Sequence, residues 1–386
     1  MNEKKKLELY LHIPFCESKC KYCDFLSASA DSSAHKAYVD KLVEEIRAQG
    51  SNYKGYQVNT IFIGGGTPSI LSGVWVSNLM SAIYESFVVE ASAEATIECN
   101  PGTLDAEKLS YFKQSGINRI SLGLQSAIDE ELERLGRIHT YDKFLESYQL
   151  VREAGFHNVN IDLMSGLPSQ TLESWKTTLK NVVRLKPEHI SAYSLIIEEG
   201  TEFARIYNTE EGKKLLPSEA AERKMYKMTA DFLQKFGYER YEISNYAKPG
   251  FQSIHNTGYW TGAEYLGMGL GASSYVFKRR FHVERDIRKY MAIDFENDIT
   301  PLYQEVQELT LEDEMSEFMF LGLRMMRGVS GEEFLSRFDY NIYNVFGEAI
   351  QRNKDLGLLI NDGSHIRLTA RGIDLSNRVM SDFILS

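Results

Sequence analysis

The stretch Leu7-Glu8-Leu9-Tyr10-Leu11-His12-Ile13, followed two residues later by Cys16-Glu17-Ser18-Lys19-Cys20-Lys21-Tyr22-Cys23, decides how the rest of the chain is read. The first segment alternates apolar residues as a short buried strand does, and it delivers three cysteines into one tight loop. Three thiolates at this spacing can hold three corners of a cubane [4Fe–4S] cluster. Most such clusters take four cysteines, so a loop of three leaves one iron open to another ligand. The competing reading is zinc held by the three thiols and His12, since zinc accepts a Cys3His set. Zinc ligands, however, usually come as separated pairs rather than three in one turn. Disulfides are not expected, because the chain has four cysteines in 386 residues and no secretory signal, which points to a reducing cytoplasm.

One βα unit further on, Val58-Asn59-Thr60-Ile61-Phe62-Ile63 reads as a buried strand running into Gly64-Gly65-Gly66-Thr67-Pro68. Glycines at a strand's end let the backbone turn sharply and approach a neighbour without Cβ interference. The segment lacks the Lys-Ser/Thr of a phosphate loop and the spacing of a dinucleotide fingerprint. Taken together, the cysteine loop and the GGGTP segment resemble the radical S-adenosylmethionine (SAM) families. The resemblance implies that the amino acid end of SAM fills the open iron and that the glycine segment contacts its amino group.

Composition excludes several other classes. With 43% hydrophobic and 25% charged residues, the chain reads as an ordinary folded protein. No apolar run approaches the ~18–20 residues that span a bilayer. A formal net charge of −11 argues against nucleic acid as a partner, since phosphate binding needs clustered cations.

The order of elements predicts the architecture. Strands are expected at 7–13, 58–63, 93–98, 119–125, 158–164 and 189–196, with amphipathic helices such as Lys36–Arg47, Asp105–Gln114, Asp142–Glu153 and Leu172–Arg184 between them. Six βα units in series predict a parallel sheet. Six is short of a closed eightfold barrel, so the expected fold is α/β, a partial (β/α)6 barrel with its functional groups at the strand C-terminal ends. Beyond residue 200 the alternation breaks. Ser218–Phe236 reads as a long helix and Tyr238–Ala247 as a strand. The last part ends in two short strands around Asp362-Gly363, as in a winged helix. Residues 310–386 carry 8 Lys and Arg against 12 Asp and Glu, so this C-terminal α+β unit suits docking or a lid rather than DNA. The divisions expected are 1–200 for the barrel core, 201–300 for an extension and 301–386 for the winged-helix-like unit.

Glu98, Gln125, Arg137 and Asp162 recur at or just past predicted strand ends. A charged group beside an apolar strand needs a partner. Arg137 pairing with Asp162 is the structural reading, and a ring of groups around a polar cofactor is the functional one. Cys99 is expected to be a small buried residue.

The ordered series of the cysteine loop, GGGTP, IECNP, SLGLQS, GRIHT, NIDLMSGLP and HNTGYW resembles the oxygen-independent coproporphyrinogen III oxidases and their relatives, over essentially the whole chain. The resemblance implies that Tyr10, Cys16, Cys20, Tyr22, Cys23, Gly65 and Glu98 hold the cluster or the SAM bound to it. It further implies that Gly66, Thr67, Gln125, Arg137 and Asp162 serve a second SAM, and that Ala272 closes over the first. Two departures set this chain apart. The decarboxylating oxidases carry another cysteine where Phe25 stands in Cys23-Asp24-Phe25, and they have a longer segment before the first strand. Both departures match the sister branch, the haem chaperones. In that branch His255 of His255-Asn256-Thr257-Gly258-Tyr259-Trp260 is expected to bind haem iron, with an aromatic neighbour stacking on the macrocycle. The expected function is therefore haem binding and transfer to respiratory proteins, in the cytoplasm or at the membrane through a partner. The alternative is oxidative decarboxylation of coproporphyrinogen III to protoporphyrinogen IX.

Overall fold

The computed structural model describes residues 4–385. Its first half runs β1 (Lys5–Ile13), α1 (Ser32–Gly50), β2 (Tyr56–Gly65), α2 (Gly73–Ser86), β3 (Val89–Cys99), α3 (Ala106–Gln114), β4 (Arg119–Gln125), α4 (Asp129–Leu135), α5 (Tyr141–Glu153), β5 (Val159–Ser165), α6 (Leu172–Leu185) and β6 (His189–Ser194). Strands β1 to β6 lie side by side in chain order, each parallel to the next. This is the predicted α/β partial barrel.

The remaining elements extend the sheet instead of closing it. They are α7 (Glu202–Tyr207), α8 (Glu210–Lys213), α9 (Glu219–Gln234), β7 (Glu239–Arg240), β8 (Asn245–Ala247), α10 (Ile254–Thr261), β9 (Tyr265–Met268), β10 (Ser273–Val276), β11 (Arg279–Val283), α11 (Ile287–Met291) and β12 (Tyr303–Glu308). Strand β9 pairs parallel to β1, and β8 pairs antiparallel to β6, giving a sheet of 12 strands. The antiparallel run β9 to β12 was not expected from the sequence. Tyr238–Ala247 forms two short strands, β7 and β8, rather than one. The last part comprises α12 (Leu311–Gly322), β13 (Val329–Ser330), α13 (Gly331–Phe338), α14 (Ile342–Asp355), β14 (Leu359–Asn361), β15 (His365–Leu368), α15 (Ala370–Asp374) and α16 (Ser376–Ser381), built around a small antiparallel sheet and its own apolar core.

Strand alternation explains the barrel's two environments. Successive side chains point to opposite faces, and in β1 Leu7, Leu9, Leu11 and Ile13 are fully buried in the main apolar core. The opposite face carries Glu8, Tyr10 and His12. Register sets Glu8 beside Thr60, Thr60 beside Glu94, Thr96 beside Arg119 and Asn160 beside His189. The lumen is thus polar, which is costly unless each group finds a partner or a ligand. Helix α10 meets Thr60 and Glu94 on the strands' N-terminal side, away from the cysteine loop.

Candidate functional site

The cysteine loop follows β1 at the barrel's C-terminal mouth, where its backbone is held independently of the thiols. Cys16 N–H donates to the Ala28 carbonyl and Ala28 N–H to Pro14, closing the loop on itself. Lys21 N–H donates to Leu135 at the end of α4, and Phe203 N–H of α7 donates to Lys21. Cys16, Cys20 and Cys23 are partly exposed and unpaired, and all three line one cavity of about 360 Å³. Among the described residues no three His, Cys, Asp or Glu side chains converge on a single ion. His12 is not free for zinc, since its Nε2 contacts the Leu26 carbonyl at 2.9 Å and its Nδ1 the Tyr10 hydroxyl at 3.0 Å. Three thiols on one cavity suit the three corners of a cubane.

The other predicted residues reach the same cavity from the ends of β2 to β5 and from the turn after α4. Gly65, Gly66, Thr67, Glu98, Gln125, Arg137 and Asp162 line it together with Tyr22. Glu98 accepts the Gly65 N–H at 3.1 Å. Burial, then the neighbouring Asp162, pushes its carboxyl up to about 8. Burial also raises Asp162, against hydrogen bonds from Asn160 and Ser121 at 2.8 and 2.9 Å. Arg137 does not pair with Asp162. Its guanidinium donates to Asn100 Oδ1 at 3.1 Å and reaches Cys20 Sγ at 3.5 Å, and its Nε is buried without a partner. Thr67 Oγ1 lies 3.5 Å from Cys16 Sγ. Gln125 takes a left-handed φ of 70° and accepts the Tyr193 hydroxyl at 3.0 Å. The site therefore has a cation beside one thiol, two half-buried carboxyls on its floor and an unsatisfied donor. This set fits an anionic iron–sulfur cluster together with a ligand that carries an ammonium, a sulfonium and ribose hydroxyls.

Three predicted residues lie elsewhere. Tyr10 lines an inner cavity of about 190 Å³, which shares Glu98, Ser121 and Asp162 with the outer one. Ala272 is buried between β9 and β10 and lines neither cavity. His255 lines the inner cavity with Tyr10. Its side chain is 1% exposed inside the lumen. Its Nδ1 contacts Thr60 Oγ1 at 2.7 Å and its Nε2 the Tyr259 hydroxyl at 2.9 Å. It also stacks on Phe62. Both ring nitrogens thus have side-chain partners. Trp260 meets the C-terminal unit, where the Arg324 guanidinium lies 4.2 Å from its ring centre.

Residues not singled out beforehand complete the site. Asn100 bridges Thr67 and Arg137 and could have been found inside the IECNP motif. Tyr193 sits in the sixth predicted strand. Arg119, 2% exposed with its Nε unpartnered, lines the inner cavity. The face alternation of β4 is the signal that would have placed it.

The buried titratable groups predict a definite pH profile for the cluster-free protein. Burial, then Glu94, pushes Glu8 up to about 9, and burial pushes Glu45 up to about 7. Above their ordinary carboxylate values these two hold protons only when folded, so stability falls as pH rises from those values up to about 7 for Glu45 and about 9 for Glu8. Each proton contributes a slope of up to about 1.4 kcal/mol per pH unit. His255, lowered to about 3 by burial and then by Arg119, and His189, lowered well below its ordinary value by burial, act oppositely. Their stabilisation is complete above the ordinary histidine value and fades as pH falls below it. Below the ordinary histidine value the two trends oppose each other, so urea unfolding is expected to show stability falling from pH ~6.5 to ~9. Stability climbing steadily over that range would contradict these assignments.

Comparisons with known proteins agree with this geometry. The Radical SAM superfamily matches residues 10–182, and the HemN C-terminal domain matches residues 309–375. A solved structure of coproporphyrinogen III oxidase (HemN) from Escherichia coli superposes with a TM-score of 0.84 at 26% identity, covering 99% of this chain and 90% of that one. Fold and site together define a radical SAM protein. Among curated proteins, heme chaperone HemW of Lactococcus lactis is 37% identical over 97% of each chain. That of Bacillus subtilis is 36% identical over 97% of this chain and 98% of its own. The chain belongs to the HemW family of heme chaperones.

Proposed function

We propose that this chain binds haem and passes it to haem-accepting respiratory proteins, from the cytoplasm or at the membrane through that partner. The barrel would carry a [4Fe–4S] cluster and SAM. The observation that carries the reading is the loop itself. It places three thiols on the cavity and an exposed Phe25 where the decarboxylating relatives have a further cysteine.

Cys16, Cys20 and Cys23 would hold three irons, with Arg137 offsetting thiolate charge at Cys20. Tyr22, Gly65 and Glu98 would hold the SAM on the open iron. Gly66, Thr67, Gln125, Arg137 and Asp162 would hold a second. The half-buried acids Glu98 and Asp162 suit the amino and ribose groups of such a ligand. A bound cluster with SAM supplies one-electron chemistry. Among the described residues no helix is long and apolar enough to cross a membrane.

The test is an anaerobic haem titration followed by absorbance, on the reconstituted chain and on His255→Gln. Saturable one-to-one binding is expected in both, because His255 is committed to Thr60 and Tyr259. Absence of binding at micromolar haem would overturn the reading. So would anaerobic conversion of coproporphyrinogen III to protoporphyrinogen IX with reductant and SAM.

A further inference from the structure

We propose that haem docks at the barrel mouth, with one face of the macrocycle on Phe25 and Ile196 beside the cysteine loop. This rests on the haem-chaperone reading and supplies the binding site that His255 does not.

Phe25 is 59% exposed and Ile196 68%, and both line the outer cavity that holds the three thiols. Large apolar side chains left in water on one rim mark a surface that is covered when the protein works. Neither residue sits in loose chain. The Phe25 carbonyl accepts Lys19 Nζ at 3.1 Å and Ser27 Oγ at 3.4 Å, and Leu195, next to Ile196, donates its N–H to Ser165 at 2.8 Å. Ile138, 63% exposed, flanks the same loop from its other side, in a recess shared with Ser18 and Cys20.

Haem is a flat apolar disc with two carboxylates on one edge. The rim offers apolar side chains for the disc, and the exposed Lys19 on it is a cation for the carboxylate edge. Asp24 and Glu198 lie on the same rim and repel that edge, which fixes the orientation toward Lys19. A small polar ligand would gain nothing from Phe25 and Ile196.

The experiment is the anaerobic haem titration repeated on the full reconstituted chain with Phe25→Ser, Ile196→Ser, both together, and Phe25→Leu. Phe236→Ser, at a side chain 51% exposed in the turn after α9, serves as control. Each single serine change is expected to weaken haem about tenfold, and the pair about a hundredfold. Phe25→Leu should retain most of the affinity and Phe236→Ser all of it. Iron and sulfide content should be unchanged throughout, since these side chains face solvent. Tight haem binding by the double variant would overturn the proposal and place haem elsewhere. Failure of the unaltered chain to bind haem would instead remove the chaperone reading on which it rests.

Discussion

Cys20→Ser is expected to abolish cluster assembly, taking bound iron and sulfide after anaerobic reconstitution from full to background. Three thiols are the minimum that can hold a cubane by protein ligands with one iron open. A serine hydroxyl at neutral pH is neither ionised nor soft enough to replace a thiolate on iron. The barrel should survive the change. Cys20 is partly exposed, and the loop is pinned through backbone bonds of Cys16, Lys21 and Ala28 that do not use its sulfur. Urea midpoints of the cluster-free proteins should therefore agree to within about 0.5 kcal/mol, the usual range for surface changes. The neighbouring Arg137 loses only a 3.5 Å contact and keeps Asn100. A variant retaining its full iron and sulfide would mean that the ligands lie elsewhere. A variant that unfolds would mean that the loop is structural.

Much of this arrangement was legible in the sequence because apolar alternation and glycine-ended strands leave a strong imprint. The six barrel strands and the two glycine- and cysteine-bearing loops fall where the pattern predicts, and the loops bring their residues to one cavity because parallel strands share a C-terminal end. The misses have identifiable causes. Strands β9 to β12 are four to six residues long, too short for a clear period. Tyr10 shares a strand face with Glu8 and His12, so alternation alone points it into the lumen. His255 looks like a ligand because aromatics follow it in sequence. On a helix, however, Tyr259 is its i+4 neighbour, and their hydrogen bond across one turn of α10 turns the ring inward. Helical periodicity also separates Trp260 from His255, sending it toward Arg324 and the C-terminal unit.

Gly66→Ala is expected to be a damaging single-methyl change in the glycine segment, for a reason the sequence did not reveal. The motif suggests glycines that admit a ligand. In the structure, a Cβ at Gly66 would meet the Phe15 carbonyl oxygen at 2.5 Å and Cys16 Sγ at 3.0 Å. A backbone oxygen cannot swing aside as a side-chain tip can. Gly66 N–H and Thr67 N–H also donate to Ile13 and Phe15, at 2.8 and 2.7 Å. The end of β2 and the start of the cysteine loop are thus laced together, and the methyl wedges them apart. Overpacking of this kind costs ~1–3 kcal/mol, and here the displaced atoms include a cluster ligand. Gly66→Ala should therefore lower both the urea midpoint and the iron content, whereas Cys20→Ser lowers the iron content alone. Gly55, with nothing within 4 Å of its would-be Cβ, gives the control, and alanine there should be neutral or stabilise by up to ~1 kcal/mol through the unfolded chain. If Gly66→Ala kept full iron and stability, the segment would not be a seam between two loops, whatever its effect on SAM affinity.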